Sequence, residues 1–158
     1  MNAVETTGQG SQYVLFKVSN ETYALEIQFV QEVLRHRTIK QLPHSPKHVL
    51  GVINLRGQII PIVGLREKFS IQSEPVNDHT RIIITLHAKK LVGLVVDSVD
   101  RVVYIKPANI EENPEYTDGE TKTAVRAIAR LDDIESVIII LELANIADSE
   151  SFNSISGA

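Results

Sequence analysis

The chain predicts an all-β fold: two small β-rich units packed face to face, with a short helical stretch. Three observations lead to a β-rich, duplicated architecture. Of 158 residues, 43% are hydrophobic but only 5% aromatic, so the core is aliphatic. Valine and isoleucine dominate it, and β-branched side chains suit a pleated surface. The apolar runs are strand-sized and punctuated by Gly, Pro, Asn and Asp. Their order repeats along the chain. The length allows one domain with a sizeable core, or two small domains tightly joined.

Taken in order, residues 1–11 are polar and contain glycine, which predicts a flexible tail. Tyr13 to Val18 alternates with Val14, Phe16 and Val18 on one face. Ser19-Asn20-Glu21-Thr22 is a turn, and Tyr23-Ala24-Leu25 opens the returning strand. Ile27, Val30 and Leu34 recur at spacings of three and four, which predicts a short helical stretch before extended chain resumes near Arg35. Pro43 and Pro46 mark a loop. Gly51-Val52-Ile53-Asn54-Leu55 and Gln58-Ile59-Ile60-Pro61-Ile62-Val63 flank Arg56-Gly57 as a hairpin, with Gly57 at a position that wants positive φ. Pro61 has no N–H, so it is expected on an edge strand or at a bulge. Ile71 to Thr80 connects the halves. Arg81–Leu86 and Leu91–Val96 form a further hairpin. Pro107 to Lys122 is an acidic loop, and Val125–Leu131 pairs with Val137–Leu143. Residues 148–158 form a second Ser-rich tail. The ordered domain therefore spans 12–147, with halves at roughly 12–70 and 80–147 and the termini open to exchange between barrels.

The halves superpose. Tyr23 to Val33 lies on Val92 to Val102 at a constant offset of 69 positions. Leu25/Leu94, Val30/Val99 and Val33/Val102 are identities. Gly51–Leu55 lies on Ala127–Leu131 at an offset of 76, and Ile59–Leu65 on Val137–Leu143 at 78. Single matches between aliphatic strands mean little; the conserved order of elements is the argument. Each half alone holds too few strands to bury a large core, so two barrels sharing an aliphatic seam are expected. The second-half strands, apolar on nearly every residue, suit burial on both faces.

The chemistry the chain lacks narrows its function. With no cysteine anywhere, disulfides, thiolate zinc sites and cysteine nucleophiles are excluded. A net charge of -4 from 16 basic and 20 acidic residues, well mixed, leaves no nucleic-acid footprint. The N-terminus reads as no signal peptide, and the longest apolar run, Val137 to Leu141, falls far short of the ~20 residues of a spanning helix. A soluble cytoplasmic protein, without membrane insertion, is expected. His44 and His48 have metal-like spacing but no nearby third ligand, and a surface loop accounts for them. Asp132-Asp133 reads as a polar turn. The glycines of Gly51 to Gly57 precede no Gly-Lys-Ser/Thr, so they form no phosphate loop. Acid, base and oxyanion donor are nowhere assembled. No enzyme, no metal and no cofactor is expected.

Two residues point to binding. Arg56 sits on a hairpin tip whose counterpart in the second half, around Asp132-Asp133-Ile134-Glu135, is acidic and longer, so the fold itself does not call for arginine there. A guanidinium on a rigid tip is a strong docking group, although a plain surface turn gives the same sequence. Glu32 stands beside the Ile27/Val30 face, and its counterpart is Arg101. It is either a solvated charge or the rim of a groove for a partner helix.

At these residues the chain resembles a known family. Gly51-Val52-Ile53-Asn54-Leu55-Arg56-Gly57, followed by Ile60-Pro61-Ile62-Val63, is similar to the signature of CheW-like chemotaxis coupling proteins. Val30-Gln31-Glu32-Val33 and Val92 to Val99 resemble two further stretches of that family. The resemblance spans about Gln12 to Ala147. It implies two interlocked five-stranded SH3-like barrels with one or two short helices, and an adaptor joining transmembrane chemoreceptors to the regulatory domain of the histidine kinase CheA, monomeric when isolated and recruited to receptor arrays. It implies partner-binding roles for Arg56, Gly57, Asn54, Leu55, Glu32, Val30 and Ile27, with Val99 and Val102 across the groove and Gly51 keeping its hairpin close-packed. Departures from the family pattern are Gly64, where an aspartate is usual, and Ala24-Leu25-Glu26, where Gly-Ile-Asp is frequent. They leave the choice of partner open. Within the adaptor class the alternative is a non-flagellar chemosensory pathway; outside it, a small-molecule sensor with a pocket in the seam.

Overall fold

The computed structural model describes residues 11–112 and 124–147. Residues 1–10, 113–123 and 148–158 lie outside, and with them most of the expected tails and of the acidic loop. Ser11, assigned to the tail from sequence, opens β1 (Ser11–Val18), which pairs with β2 (Glu21–Glu26). The expected helical stretch is one 3-10 turn, Ile27–Phe29, followed at once by β3 (Val30–Arg35). The spacing of Ile27, Val30 and Leu34 comes from that turn plus a β-bulge between Val30 and Glu32, each of which shifts the period by one residue.

The chain continues through β4 (Val49–Leu55), β5 (Gln58–Gly64) and a one-turn helix α1 (Leu65–Lys68). Next come β6 (Arg81–His87), β7 (Lys90–Val96) and β8 (Ser98–Ile105). After a 3-10 turn at Pro107–Asn109, β9 (Ile110–Glu112), β10 (Val125–Leu131), β11 (Ile134–Leu141) and α2 (Leu143–Ile146) complete the described chain.

The strands form two sheets, ordered β8-β1-β2-β11-β10-β9 and β3-β6-β7-β5-β4. The sequence halves are not the sheets. The first sheet takes β1 and β2 from the first half and the rest from the second; the other sheet does the reverse. Exchanging β1, β2, β3, β4 and β5 with β6, β7, β8, β10 and β11 converts one order into the other, β9 aside. The registers follow. Val30↔Thr85 and Val33↔Ile83 answer to Val99↔Phe16 and Val102↔Val14, with a register shift in both pairings. Parallel Ile62↔Gly93 answers to parallel Ile140↔Ala24. The short β9 has its counterpart in an isolated bridge, Lys40↔Val52, which answers to Glu111↔Ile128.

Pro61 is not on an edge strand, because β5 lies between β7 and β4. It is tolerated by register. Val52 exchanges both of its backbone hydrogen bonds with Lys40, at 2.9 Å each. Its pairing with Pro61 is therefore a non-hydrogen-bonded one. The proline nitrogen faces the β7 side, where the parallel ladder begins only at Ile62.

Alternation along each strand produces three apolar clusters. Tyr13, Leu15, Ala24, Ile138 and Ile140 fill the inside of the first sheet. Ile53, Leu55, Ile60, Ile62, Ile82 and Ile84 fill the second. The opposite faces of the same strands meet in the seam: Phe16, Val18, Tyr23 and Leu25 against Val63, Ile83, Val92, Leu94 and Val96. Thus every strand of the β1–β2 and β6–β7 hairpins is buried on both faces, as their unbroken apolar runs demand. Phe16, Tyr23 and Phe69 stack through this seam, with ring centroids 6.0 and 5.4 Å apart. Burial, helped by the nearby Glu21, pushes the Tyr23 phenol up to about 12.

Candidate partner-binding surface

The β4–β5 hairpin turns in two residues. Leu55 pairs with Gln58, and both residues between have positive φ, Arg56 at 50° and Gly57 at 88°. Two left-handed residues make the type I′ geometry that matches strand twist. Gly57 meets it freely, whereas Arg56 does so against the usual preference of a side-chain-bearing residue. The turn is held from both ends. The Asn54 Oδ1 accepts the Gly57 N–H at 3.0 Å, and the Leu55 side chain is buried in the barrel interior. The tip is therefore rigid, and Arg56 is carried on it with 68% of its side chain exposed.

Arg56 donates to the carboxylate of Glu32, whose side chain is 30% exposed. Glu32 is on edge strand β3, next to the bulge. An exposed pair of this kind contributes ~0–1 kcal/mol; its consequence is orientation, because it aims a guanidinium that still has donors to spare.

The pseudo-equivalent place in the first sheet holds a second ion pair of inverted polarity. Arg101, the counterpart of Glu32 on edge strand β8, donates to Asp133 at 2.7 Å. Asp133 lies in a two-residue turn between Leu131 and Ile134, shorter than the sequence suggests, because β11 already starts at Ile134 and pairs it with Leu131. Here the tip residue is the acid, 66% exposed, and the edge-strand residue is the base, 43% exposed.

The remaining expected site residues separate into surface and support. Ile27 and Val102 are exposed large hydrophobics, as is Val33 beside Glu32. Val30 and Val99 are half-buried and pack against the seam. Leu55 and Gly51 lie behind the surface. Gly51 has φ 145°, and a Cβ there would come within 2.0 Å of the Lys40 carbonyl oxygen; the glycine lets the Lys40 bridge approach. His44 is an exposed turn residue with φ 61°. The His48 carbonyl accepts the Gly64 N–H at 2.9 Å. Among the described residues no group of three His, Cys, Asp or Glu is placed to hold a metal.

A polar network escaped the sequence reading. Asp97, at the corner between β7 and β8, accepts two hydrogen bonds from Arg66 of α1, at 2.9 and 2.6 Å, and one from the Ser19 N–H at 2.7 Å. Arg66 also donates to the Gln72 carbonyl at 2.7 Å. Partial burial pushes the Asp97 carboxyl up, but the Arg66 and Ser19 hydrogen bonds outweigh it and hold the group below the usual carboxylate range. Arg66 is raised in turn, chiefly by its hydrogen bond to Asp97. No spacing signal links residues so far apart; the one hint was that Asp97 faces Gln28, an uncharged residue, across the repeat.

The match to known proteins follows this geometry. Residues 12–151 match the CheW-like domain model. The chain belongs to the CheW-like family. It is 30% identical over 148 residues to the chemotaxis protein CheW of Klebsiella aerogenes, covering 94% of this chain and 87% of that protein. It is 27% identical over 145 residues to the chemotaxis protein CheW of Bacillus subtilis, covering 92% of each. The crystal structure of the scaffolding protein TtCheW from Thermoanaerobacter tengcongensis superposes with a TM-score of 0.77 at 36% identity, covering 84% of this chain and 89% of that one. Gly64, one of the positions the resemblance singles out, is buried beside Glu67. A Cβ at this position would meet the Glu67 Oε1 at 2.1 Å, so any larger residue would require Glu67 to swing away.

Proposed function

We propose that the protein is a chemosensory adaptor that couples transmembrane chemoreceptors to the regulatory domain of the histidine kinase CheA, and that it works by binding, with no chemistry of its own. The observation that carries this reading is the Arg56 tip: a rigid type I′ turn that presents an oriented guanidinium next to an edge strand with exposed aliphatic side chains, in a chain of the CheW-like family. Arg56, Glu32, Asn54 and Gly57 form the charged part of the docking surface. Ile27 supplies apolar contact, Val30 and Val99 support it from the seam, and Leu55 and Gly51 set the hairpin that carries it. Modest single contacts become strong in an array, where neighbouring sites raise the effective concentration. None of the described helices is long and apolar enough to cross a membrane; recruitment to receptor arrays would come through the receptors.

The test is titration calorimetry of the full chain against a CheA regulatory-domain fragment and a receptor-tip fragment. The wild-type chain is expected to bind both. Arg56→Ala should weaken at least one about tenfold, the size of a truncated interface arginine, while moving Tm by less than about 2 °C. A chain that binds neither fragment is not such an adaptor.

A further inference from the structure

The even mixture of charge over the whole chain hides one basic stretch. Between Glu32 and Glu67 there is no acidic residue, yet Arg35, Arg37, Lys40, Lys47, Arg56 and Arg66 all fall there. Arg56 and Arg66 have carboxylate partners; Arg35 and Arg37 have none among the described residues. Folding then brings another cation to Arg35. It ends β3, and the residue directly opposite in the ladder is Arg81, the first of β6. Like charges directly opposite in an antiparallel pair are destabilising. The counterpart pair in the other sheet, Tyr104↔Gln12, is uncharged, so the shared backbone does not call for two arginines.

Both arginines line one cavity of about 310 Å³, together with His36 and with Asn77, Asp78 and Thr80 of the connection between the halves. The donors around it are set in place. Arg81 Nη1 donates to the Asp78 carbonyl at 2.7 Å and the Thr80 carbonyl at 3.0 Å. These bonds fix the guanidinium and leave its Nε and Nη2 hydrogens for a ligand. The buried Thr80 hydroxyl accepts the Asn77 N–H at 3.0 Å, and its own proton remains to be donated. Partial burial holds His36 below its ordinary value, so at neutral pH it is an uncharged imidazole with one N–H. Asp78 is the one acid among the described lining residues, against two guanidinium groups.

We propose that Arg35, Arg81, His36 and Thr80 form an oxyanion site for a phosphate group, carried by inorganic phosphate or by a small phosphomonoester. A dianion between the two arginines turns their repulsion into two attractions, and planar guanidinium forks suit phosphate oxygens. A second cavity, of about 610 Å³, shares His36, Asn77 and Thr80 with the first and extends to Arg66 and Asp97. It has room for the body of a phosphomonoester. None of these groups belongs to the docking surface at Arg56, so the site holds whether or not the adaptor reading does.

The test titrates the full chain with sodium phosphate and, separately, with glycerol 3-phosphate, at ionic strength held constant with sodium chloride. Tm and backbone amide shifts are followed. The wild-type chain should show a saturable rise in Tm, with the largest amide shifts at Arg35, His36 and Arg81. R35Q should melt at or slightly above wild type without phosphate, because the like-charge pair is gone. Its Kd for phosphate should nevertheless rise about tenfold or more, and so should that of R81Q. R37Q, an exposed neighbour outside the cavity, should keep its Kd within about twofold. Tighter binding of glycerol 3-phosphate assigns the site to a phosphomonoester; equal or weaker binding assigns it to inorganic phosphate. The site is overturned if neither compound gives a saturable response. It is overturned too if R37Q loses as much affinity as R35Q, since the response is then the diffuse attraction of a basic stretch. An R35Q chain that melts well below wild type without phosphate also overturns it, because Arg35 then serves the fold.

Discussion

Asp97 joins three segments of the chain: the corner after β7, the β1–β2 turn through Ser19, and α1 through Arg66. Its folded carboxyl titrates below the ordinary value of 3.8. The unfolded chain therefore takes up the proton first as pH falls. The stabilisation is complete above the unfolded value and is lost as pH drops through the folded one. Asp97→Asn should cost about 1–2 kcal/mol at pH 7, the size of charge-assisted hydrogen bonds at a half-buried site. The difference from wild type should shrink below about pH 3.8. Urea titrations at pH 7 and pH 3 check this; an equal deficit at both would mean the loss is one of packing. At the same scale, Arg56 was legible because the repeat aligned it with an acidic turn. Its left-handed backbone was not, since the sequence marks only Gly57 as free to adopt positive φ.

Hairpins are where sequence and structure agree best at the scale of elements. Arg56-Gly57 and the Asp132-Asp133 turn both lie where turn chemistry placed them, because a two-residue connection leaves one register. Edges were less legible. Pro61 pointed to an edge strand, yet β5 is interior, and the missing N–H is absorbed by the late start of the β7 ladder. Whether a strand has one neighbour or two depends on partners distant in sequence. Gly51 belongs to this scale, for it keeps the Lys40 bridge against β4. Gly51→Ala should cost about 2–4 kcal/mol, combining a forced positive φ with a clash against backbone that cannot yield cheaply. Gly57→Ala, with nothing within 4 Å of the added carbon, should cost only about 1 kcal/mol. Denaturant midpoints of the two variants compare them directly.

At the scale of the molecule, the seam makes the two sheets one cooperative unit. Leu25 is fully buried there and lies on a hairpin donated to the sheet built mostly from the other half. Leu25→Ala should cost about 2–5 kcal/mol, as large-to-small changes in packed cores do. It should lower the protection of β2 and β7 amides together in hydrogen exchange, because neither sheet is complete without a hairpin from the other half. Protection lost in β2 alone would show that the sheets open independently.

The sequence by itself determined the kind of elements, the repeat and the family. Aliphatic alternation, turn residues and the Asn54-Leu55-Arg56-Gly57 stretch are local properties, readable without knowing which strands meet. Only the tertiary structure decided that the hairpins are exchanged between sheets. The alternation pattern is satisfied equally well by either pairing, and what selects one is the burial of both faces in a shared seam. The tertiary structure likewise paired Glu32 with Arg56 and Arg101 with Asp133. From sequence Arg56 and Glu32 were separate binding candidates, and Arg101 and Asp133 were unlinked charges. Folding brings each edge strand to a hairpin tip, and it is there that the two halves, alike in backbone, differ in the charge they present.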